Sequence, residues 1–249
     1  DREHASFDKV TQQLRDRHGS CVVPVLMPIG EGADFRGVVN VLEKKAYEGA
    51  YKNSVEIPMP DSMKDKVDKA FEYLTEQAAA ADDDLMMKYL DEGELNYDEI
   101  LQGFRKGMKD GDIVPVCAVS ALTGVGIARM MDLMAKYLPS PAHDGITHDG
   151  FNPRTGEAQV RICTDNQPFS AFIYKTIADP FVGKLSYVKV VAGKLTADAE
   201  LINMTTGQPE KLGKLLYVRG KKQEEVKEVP AGDICAVSKL LANTGDTLC

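Results

Sequence analysis

Few side chains in this 249-residue chain are spaced for catalysis. Of its four histidines only His143 and His148 lie close together, in a stretch with Asp144 and Asp149. That group could hold a metal ion, but it has no matching ligands elsewhere in the sequence. Gly-x-Ser-x-Gly, His-Glu-x-x-His and Cys-x-x-Cys are absent, so serine-hydrolase, zincin and zinc-ribbon chemistries lack their residues. Gly-x4-Gly-Lys-Ser/Thr is absent too, which leaves no cradle for a nucleoside triphosphate's phosphates. What remains is an apolar run, residues 113–119, that ends in Ser120-Ala121-Leu122 and leads into a loop and a helix. A strand–turn–helix junction calls for small residues in any case, so this element alone names no ligand. Two charged groups complete the inventory. Arg219, Lys221 and Lys222 surround Gly220 at what reads as a loop tip, where contacts to phosphates would be salt-dependent. Asp65, Asp68, Glu72 and Glu76 recur three or four apart and so share a helix face, which suits a basic partner. Exposed ion pairs are worth only ~0–1 kcal/mol each, so such a face mainly speeds encounter.

Composition bounds what must position these groups. An apolar fraction of 43% and a charged fraction of 27% are those of a chain able to bury a core, in one or two domains. No apolar run approaches the 18 or more residues that cross a bilayer, and Asp1-Arg2-Glu3-His4 has no secretory pattern. The expectation is therefore a cytoplasmic protein without a membrane partner. Five cysteines, odd in number and far apart, fit a reducing compartment better than a disulfide framework. The net charge of −8 is uneven: residues 61–110 carry −7, residues 168–249 carry +2.

The elements follow from periodicity. Phe7, Val10 and Leu14 set one stripe on a helix ending near Gly19, and residues 21–27 form a strand that Pro24 assigns to an edge or a bulge. A second strand is expected near residues 38–42, and residues 47–60 read as loop or edge strand. Three acidic helices follow: one over 61–80 with Asp61 as N-cap, one opened by Asp82-Asp83-Asp84, and one over about 96–108. Residues 113–119 read as a buried strand. The helix after it carries Ile127, Met130, Met131, Met134 and Leu138 as core filling. Residues 142–165 lack any period and read as a linker. Beyond them, runs at 169–177, 185–191, 200–203, 211–218 and 234–240, separated by turn signals, predict a small antiparallel barrel.

Further motifs carry a resemblance. Leu26-Met27-Pro28-Ile29-Gly30, Glu56-Ile57-Pro58-Met59-Pro60, Met87-Lys88-Tyr89-Leu90, Ser120-Ala121-Leu122 and Tyr137-Leu138-Pro139-Ser140-Pro141 occur in that order. Asp179-Pro180-Phe181-Val182-Gly183-Lys184, Val229-Pro230-Ala231-Gly232-Asp233 and Thr244-Gly245-Asp246-Thr247-Leu248 continue it. Together they resemble a middle portion of bacterial elongation factor G, a translational GTPase family. Asp1 resembles the aspartate that closes that family's Asn-Lys-x-Asp guanine motif. Val119 stands where the family often has Gly, and the stretch Phe172-Ile173-Tyr174-Lys175-Thr176-Ile177-Ala178 resembles a divergent paralogue.

The resemblance implies an α/β GTPase-domain remnant with an α+β insert, followed by an antiparallel β-barrel of translation-factor type. Residues 1–19 and 112–138 would close the GTPase domain, 20–111 would be its insert, 139–165 a linker and 166–249 the truncated barrel. It implies guanine contacts at Asp1, Ser120, Ala121 and Leu122, with GTP or GDP and magnesium bound by the parent and neither by this portion alone. It implies ribosomal RNA of the small subunit as the partner of Arg219, Lys221 and Lys222. For the acidic face it implies the ribosomal stalk protein, and the portion itself is expected to be monomeric. The expected activity is ribosome-dependent GTP hydrolysis in elongation. Ribosome-protection proteins for tetracycline resistance, a release-factor GTPase and a non-enzymatic adaptor are the alternatives.

Overall fold

An apolar run of eight residues, Val22–Ile29 (β1), is the spine of the first of two units, Asp1–Pro139 and Ser140–Cys249. The computed structural model describes residues 1–142, 147–152, 155–179 and 183–249. β1 follows the helix Phe7–His18 (α1) and precedes the strands Gly37–Asn40 (β2), Lys45–Glu48 (β3) and Val55–Ile57 (β4). Three helices come next, Asp61–Ala80 (α2), Asp83–Glu92 (α3) and Tyr97–Asp110 (α4), then the strand Val114–Cys117 (β5) and the helix Ile127–Tyr137 (α5). The sheet order is β4-β3-β2-β1-β5. The first three pairings are antiparallel and β1 with β5 is parallel. One sheet therefore joins β5, expected in the GTPase-domain remnant, to strands expected in the insert.

Position within the sheet decides one strand reading and corrects another. β1 lies inside the sheet, and of the edge or bulge expected at Pro24 it is the bulge that occurs, at a register shift where Pro24 faces Val116 and Leu26 faces Cys117. That bulge accommodates the missing N–H. β5 is itself an edge strand, so the run expected to be buried leaves Val114 48% exposed.

The helices of the insert hold where their periodicity is strong. Met63, Val67, Leu74 and Ala78 of α2 are buried, as are Ile100, Leu101 and Phe104 of α4. Gly103 lets α4 cross α2 at backbone contact distance from Ala78. Phe104 is fully buried and meets the Tyr137 ring edge-on, with centroids 5.9 Å apart. Asp82 caps α3 by accepting from the Asp84 and Leu85 N–H groups, and Asn96 with Glu99 forms a capping box on α4. Asp61 is not a cap: Pro60 holds that position, and the Asp61 carboxylate pairs with Lys64 one turn on. On α1 the buried residue is Thr11, while Val10 is half exposed. The methionine stripe of α5 is core only in part. Leu133 and Tyr137 are buried and Met130 packs against them in the same core, whereas Met131 and Met134 are about half exposed, at 52% and 48%.

The second unit is antiparallel throughout. Its strands are Thr147–Phe151 (β6), Ala158–Ile162 (β7), Ser170–Asp179 (β8), Gly183–Ala192 (β9), Leu195–Thr196 (β10), Leu201–Ile202 (β11) and Pro209–Glu210 (β12). Leu215–Arg219 (β13), Lys222–Val226 (β14), Glu228–Val229 (β15), Ile234–Ser238 (β16) and Thr247–Leu248 (β17) complete it. Six form the sheet β14-β13-β16-β9-β8-β17, and β10-β15, β11-β12 and β6-β7 are two-stranded. β14 and β17, at opposite edges of the six-stranded sheet, do not pair with each other, so among the described residues that sheet is not a closed barrel. Alternation puts Ala171, Ile173, Val188, Val190 and Val237 into one core with Leu195, Leu215 and Leu248. The segment 139–165, expected to be a linker, carries the β6–β7 hairpin. β7 does alternate, Ala158-Gln159-Val160-Arg161-Ile162, a strand pattern that the sequence reading passed over, and its apolar members Val160 and Ile162 stay exposed, as does Phe151.

Candidate functional site

The turn after β5 is built around one hydroxyl. Ser120 is buried, its N–H donates to the Val125 carbonyl at 3.0 Å, and its Oγ accepts from the Thr123 N–H at 3.0 Å. The Ser120 carbonyl accepts from the Gly124 N–H at 2.9 Å, closing the loop on itself. Ser120 thus braces the loop, and Ala121 and Leu122 sit exposed at its crest. The Ala121 N–H donates to no acceptor among the described residues.

Asp1 is placed beside this turn rather than on it. It lines a cleft of about 240 Å³ with Ser6, Phe7 and Val10 on one side and Cys117, Ala118 and Val119 on another. Pro28, Gly30, Glu31 and Phe35, from the end of β1 and the loop beyond it, form the rest of the wall. The structure therefore brings Asp1 to the three residues before Ser120, and it does not bring Leu122 to the cleft. In the sequence Pro28 and Gly30 stand out only through the Leu26-Met27-Pro28-Ile29-Gly30 motif, with no sign that it borders a cleft. Its place in the wall depends on β1 pairing with β5, which no local pattern announces. Burial pushes the Cys117 thiol up to about 11, so at neutral pH it is protonated and no nucleophile. Cys235, at about 12 for the same reason, is equally inert.

The basic group lies on a hairpin. β13 and β14 are joined by the two-residue turn Gly220-Lys221, and Arg219 stands opposite Lys222. Arg219, Lys221 and Lys222 are exposed and form no ion pair among the described residues. Their charge is thus not neutralised locally. β14 escaped the sequence reading because Lys222-Gln223-Glu224-Glu225 offers no apolar alternation, as befits an edge strand that must stay soluble.

Residues 168–249 match a family model described as Elongation factor G domain 2. This segment holds the basic hairpin, so Arg219, Lys221 and Lys222 lie within the elongation factor G match, whereas Asp1, Ser120 and the α2 carboxylates lie outside it. Across the whole chain there is a structural match to a Thermus thermophilus protein solved by crystallography. It has a TM-score of 0.77 and 25% identity, and it covers 98% of this chain and 34% of that one. This chain thus spans about a third of the length of that protein. The family-model match supports a translation elongation factor domain over residues 168–249, and the structural match supports the fold of the chain.

On α2, Asp65, Asp68, Glu72 and Glu76 are all exposed. Asp68 is held by Lys44 at 2.7 Å, and Lys44 also lies 4.4 Å from the Phe71 ring centroid. Asp65, Glu72 and Glu76 have no ion pair among the described residues, leaving a net negative strip. Within the segment that matches elongation factor G domain 2, Asp246 entered the sequence reading only as part of the Thr244–Leu248 motif, with no sign of its bonding. It is 8% exposed, accepts from the Asn203 amide and the Asn243 N–H at 2.8 Å each, and its carbonyl accepts from the Ile173 N–H at 3.0 Å. Those bonds hold the Asp246 carboxyl below the usual aspartate range, the Asn243 N–H first. Of the two histidines weighed for a metal, His143 and its neighbour Asp144 lie outside the described residues, as do Pro180, Phe181 and Val182. His148 and Asp149 are on β6. Among the described residues no three His, Cys, Asp or Glu groups gather as metal ligands, and no helix is long and apolar enough to cross a membrane.

Proposed function

We propose that this chain is part of a ribosome-dependent GTPase of translation elongation, acting in translocation. The observation that carries the reading is the match of residues 168–249 to elongation factor G domain 2. In this reading Asp1 accepts hydrogen bonds from the guanine ring N–H and exocyclic amine, a donor pair that adenine lacks in that arrangement. The free Ala121 N–H donates to the guanine keto oxygen, Ser120 braces that loop, and Leu122 follows Ala121 at its crest. The residues present fit the base end of the nucleotide only. GTP hydrolysis rests on a phosphate loop, its Lys, magnesium and a water-orienting residue, and those parts belong to the longer protein. Base contacts of net ~0.5–1.5 kcal/mol each are too few to hold a nucleotide. Calorimetric titration of the 249-residue chain with GDP is therefore expected to give no saturable heat. Micromolar binding would overturn that division of labour.

The basic hairpin contacts the phosphates of small-subunit ribosomal RNA in this reading, and the α2 face meets the stalk protein. In the full-length protein, Arg219→Glu, Lys221→Glu and Lys222→Glu together are expected to weaken ribosome binding. They should also lower the slope of log affinity against log salt by up to about three. Binding measured by cosedimentation at several salt concentrations checks this, and an unchanged slope would remove the hairpin from the interface.

A further inference from the structure

We propose that α3 carries a docking face for a basic amphipathic helix of a partner protein. α3 fastens to the core through Leu85, 6% exposed, with Tyr89 packed beside it. The side turned away holds Met86, Met87 and Leu90, exposed by 37%, 58% and 72%. Met86 and Leu90 are four apart and Met87 and Leu90 three apart, so the three side chains form one stripe. Two thioethers and a leucine make an adaptable apolar surface of the kind that accepts helices of varied sequence.

Charge selects the occupant. Asp83, Asp84, Asp91 and Glu94 flank the stripe, all exposed and none in an ion pair among the described residues. Lys88, the single cation of α3, is engaged by Glu99 at 2.7 Å and Glu92 at 3.6 Å, so it does not offset the rim. A second copy of the chain would set these carboxylates against their own duplicates, and an anionic lipid surface would be repelled in the same way. A helix with an apolar stripe edged by Lys or Arg satisfies both parts of the surface. Neither the α2 carboxylates nor the basic hairpin takes part.

The probe is a synthetic helical peptide of Leu and Lys containing one Trp, with a Leu and Glu peptide as control. The chain has no Trp, so the peptide's fluorescence reports binding alone. Saturable binding of the Leu-Lys peptide and none of the control is expected. The pair Met87→Glu and Leu90→Glu, at exposed positions, should weaken it by about tenfold, which is 1.4 kcal/mol. Mere charge attraction predicts the opposite, because both substitutions add carboxylates, so equal or tighter binding by that variant would overturn the proposal. Asp65→Lys with Glu72→Lys on α2 should change affinity by no more than about threefold, since those exposed carboxylates lie on another helix and act only through screened solvent. Loss of binding there instead would assign the peptide to α2 and overturn it as well. Sedimentation showing a dimer that Met87→Glu and Leu90→Glu dissolve would give the face to a second copy, with the same consequence.

Discussion

Gly103→Ala is expected to destabilise the Asp1–Pro139 unit by about 2–3 kcal/mol, although alanine is the better helix former by ~1 kcal/mol. A methyl group at Gly103 would fall on the Ala78 carbonyl and its neighbouring backbone atoms. Backbone in the middle of a helix cannot turn aside as a side chain can, so α2 and α4 would have to move apart. Separation would loosen Phe104, Leu74 and Ala78, all fully buried at that crossing. Gly107→Ala is the internal control. One turn further along α4 the added methyl meets the Ile113 side chain and the Ala81 methyl, and Ile113 can adjust. Its helix-propensity gain should offset much of that crowding. Urea unfolding followed by circular dichroism, with the two variants side by side, is the measurement. Equal midpoints would mean that the α2–α4 crossing has slack that the buried residues do not suggest.

The second large effect is expected at Asp246. Asp246→Ala removes one acceptor that serves two donors, the Asn203 amide and the Asn243 N–H. Asn203 is 1% exposed, so its amide would be left unsatisfied, and the total cost is about 3 kcal/mol. The sign of the pH dependence follows from the downward displacement of the Asp246 carboxyl. Its contribution is complete above the ordinary aspartate value of 3.8 and is lost as pH falls through the lower, folded-state value. The stability gap between the wild-type chain and Asp246→Ala should thus be constant from neutral pH down to about 4 and shrink below it. Urea titrations of the Ser140–Cys249 transition at several pH values test both halves. A gap that widens in acid would contradict the assigned hydrogen bonds.

Legibility in the sequence tracked how one-sided each element's environment is. α2 and α4 were readable because one face of each is buried in the core and the other is solvated, which writes a helical period into the residue order. α3 was readable from Asp82, whose carboxylate caps it. β14 and β6 were not readable because neither alternates, whereas β7, with Ala158, Val160 and Ile162 at every second position, carried a strand pattern that was missed beside the Gly, Asp and Pro residues before it. The exposed methionines of α5 have the spacing of a core stripe, and periodicity alone does not say whether anything covers a stripe. At the candidate site, Ser120 and Ala121 stood out as a small-residue turn after an apolar strand. The Pro28–Phe35 wall did not, because its proximity to Asp1 depends on strands far apart in the chain.

The parallel register between β1 and β5 also dictates an order of events. Every other pairing in that sheet joins neighbours in sequence, so β1 to β4 can zip together as soon as they exist. β5 must return across a loop on the order of 90 residues, a closure that is entropically late and slow. Until it does, one long edge of Val22-Val23-Pro24-Val25-Leu26-Met27 stands open, the most apolar edge in the unit. Pro24 cannot donate a hydrogen bond on that edge. The residue that distorts the finished sheet at the β1–β5 register shift therefore also guards the unfinished one, because a foreign strand pairing there would find a missing donor at its centre.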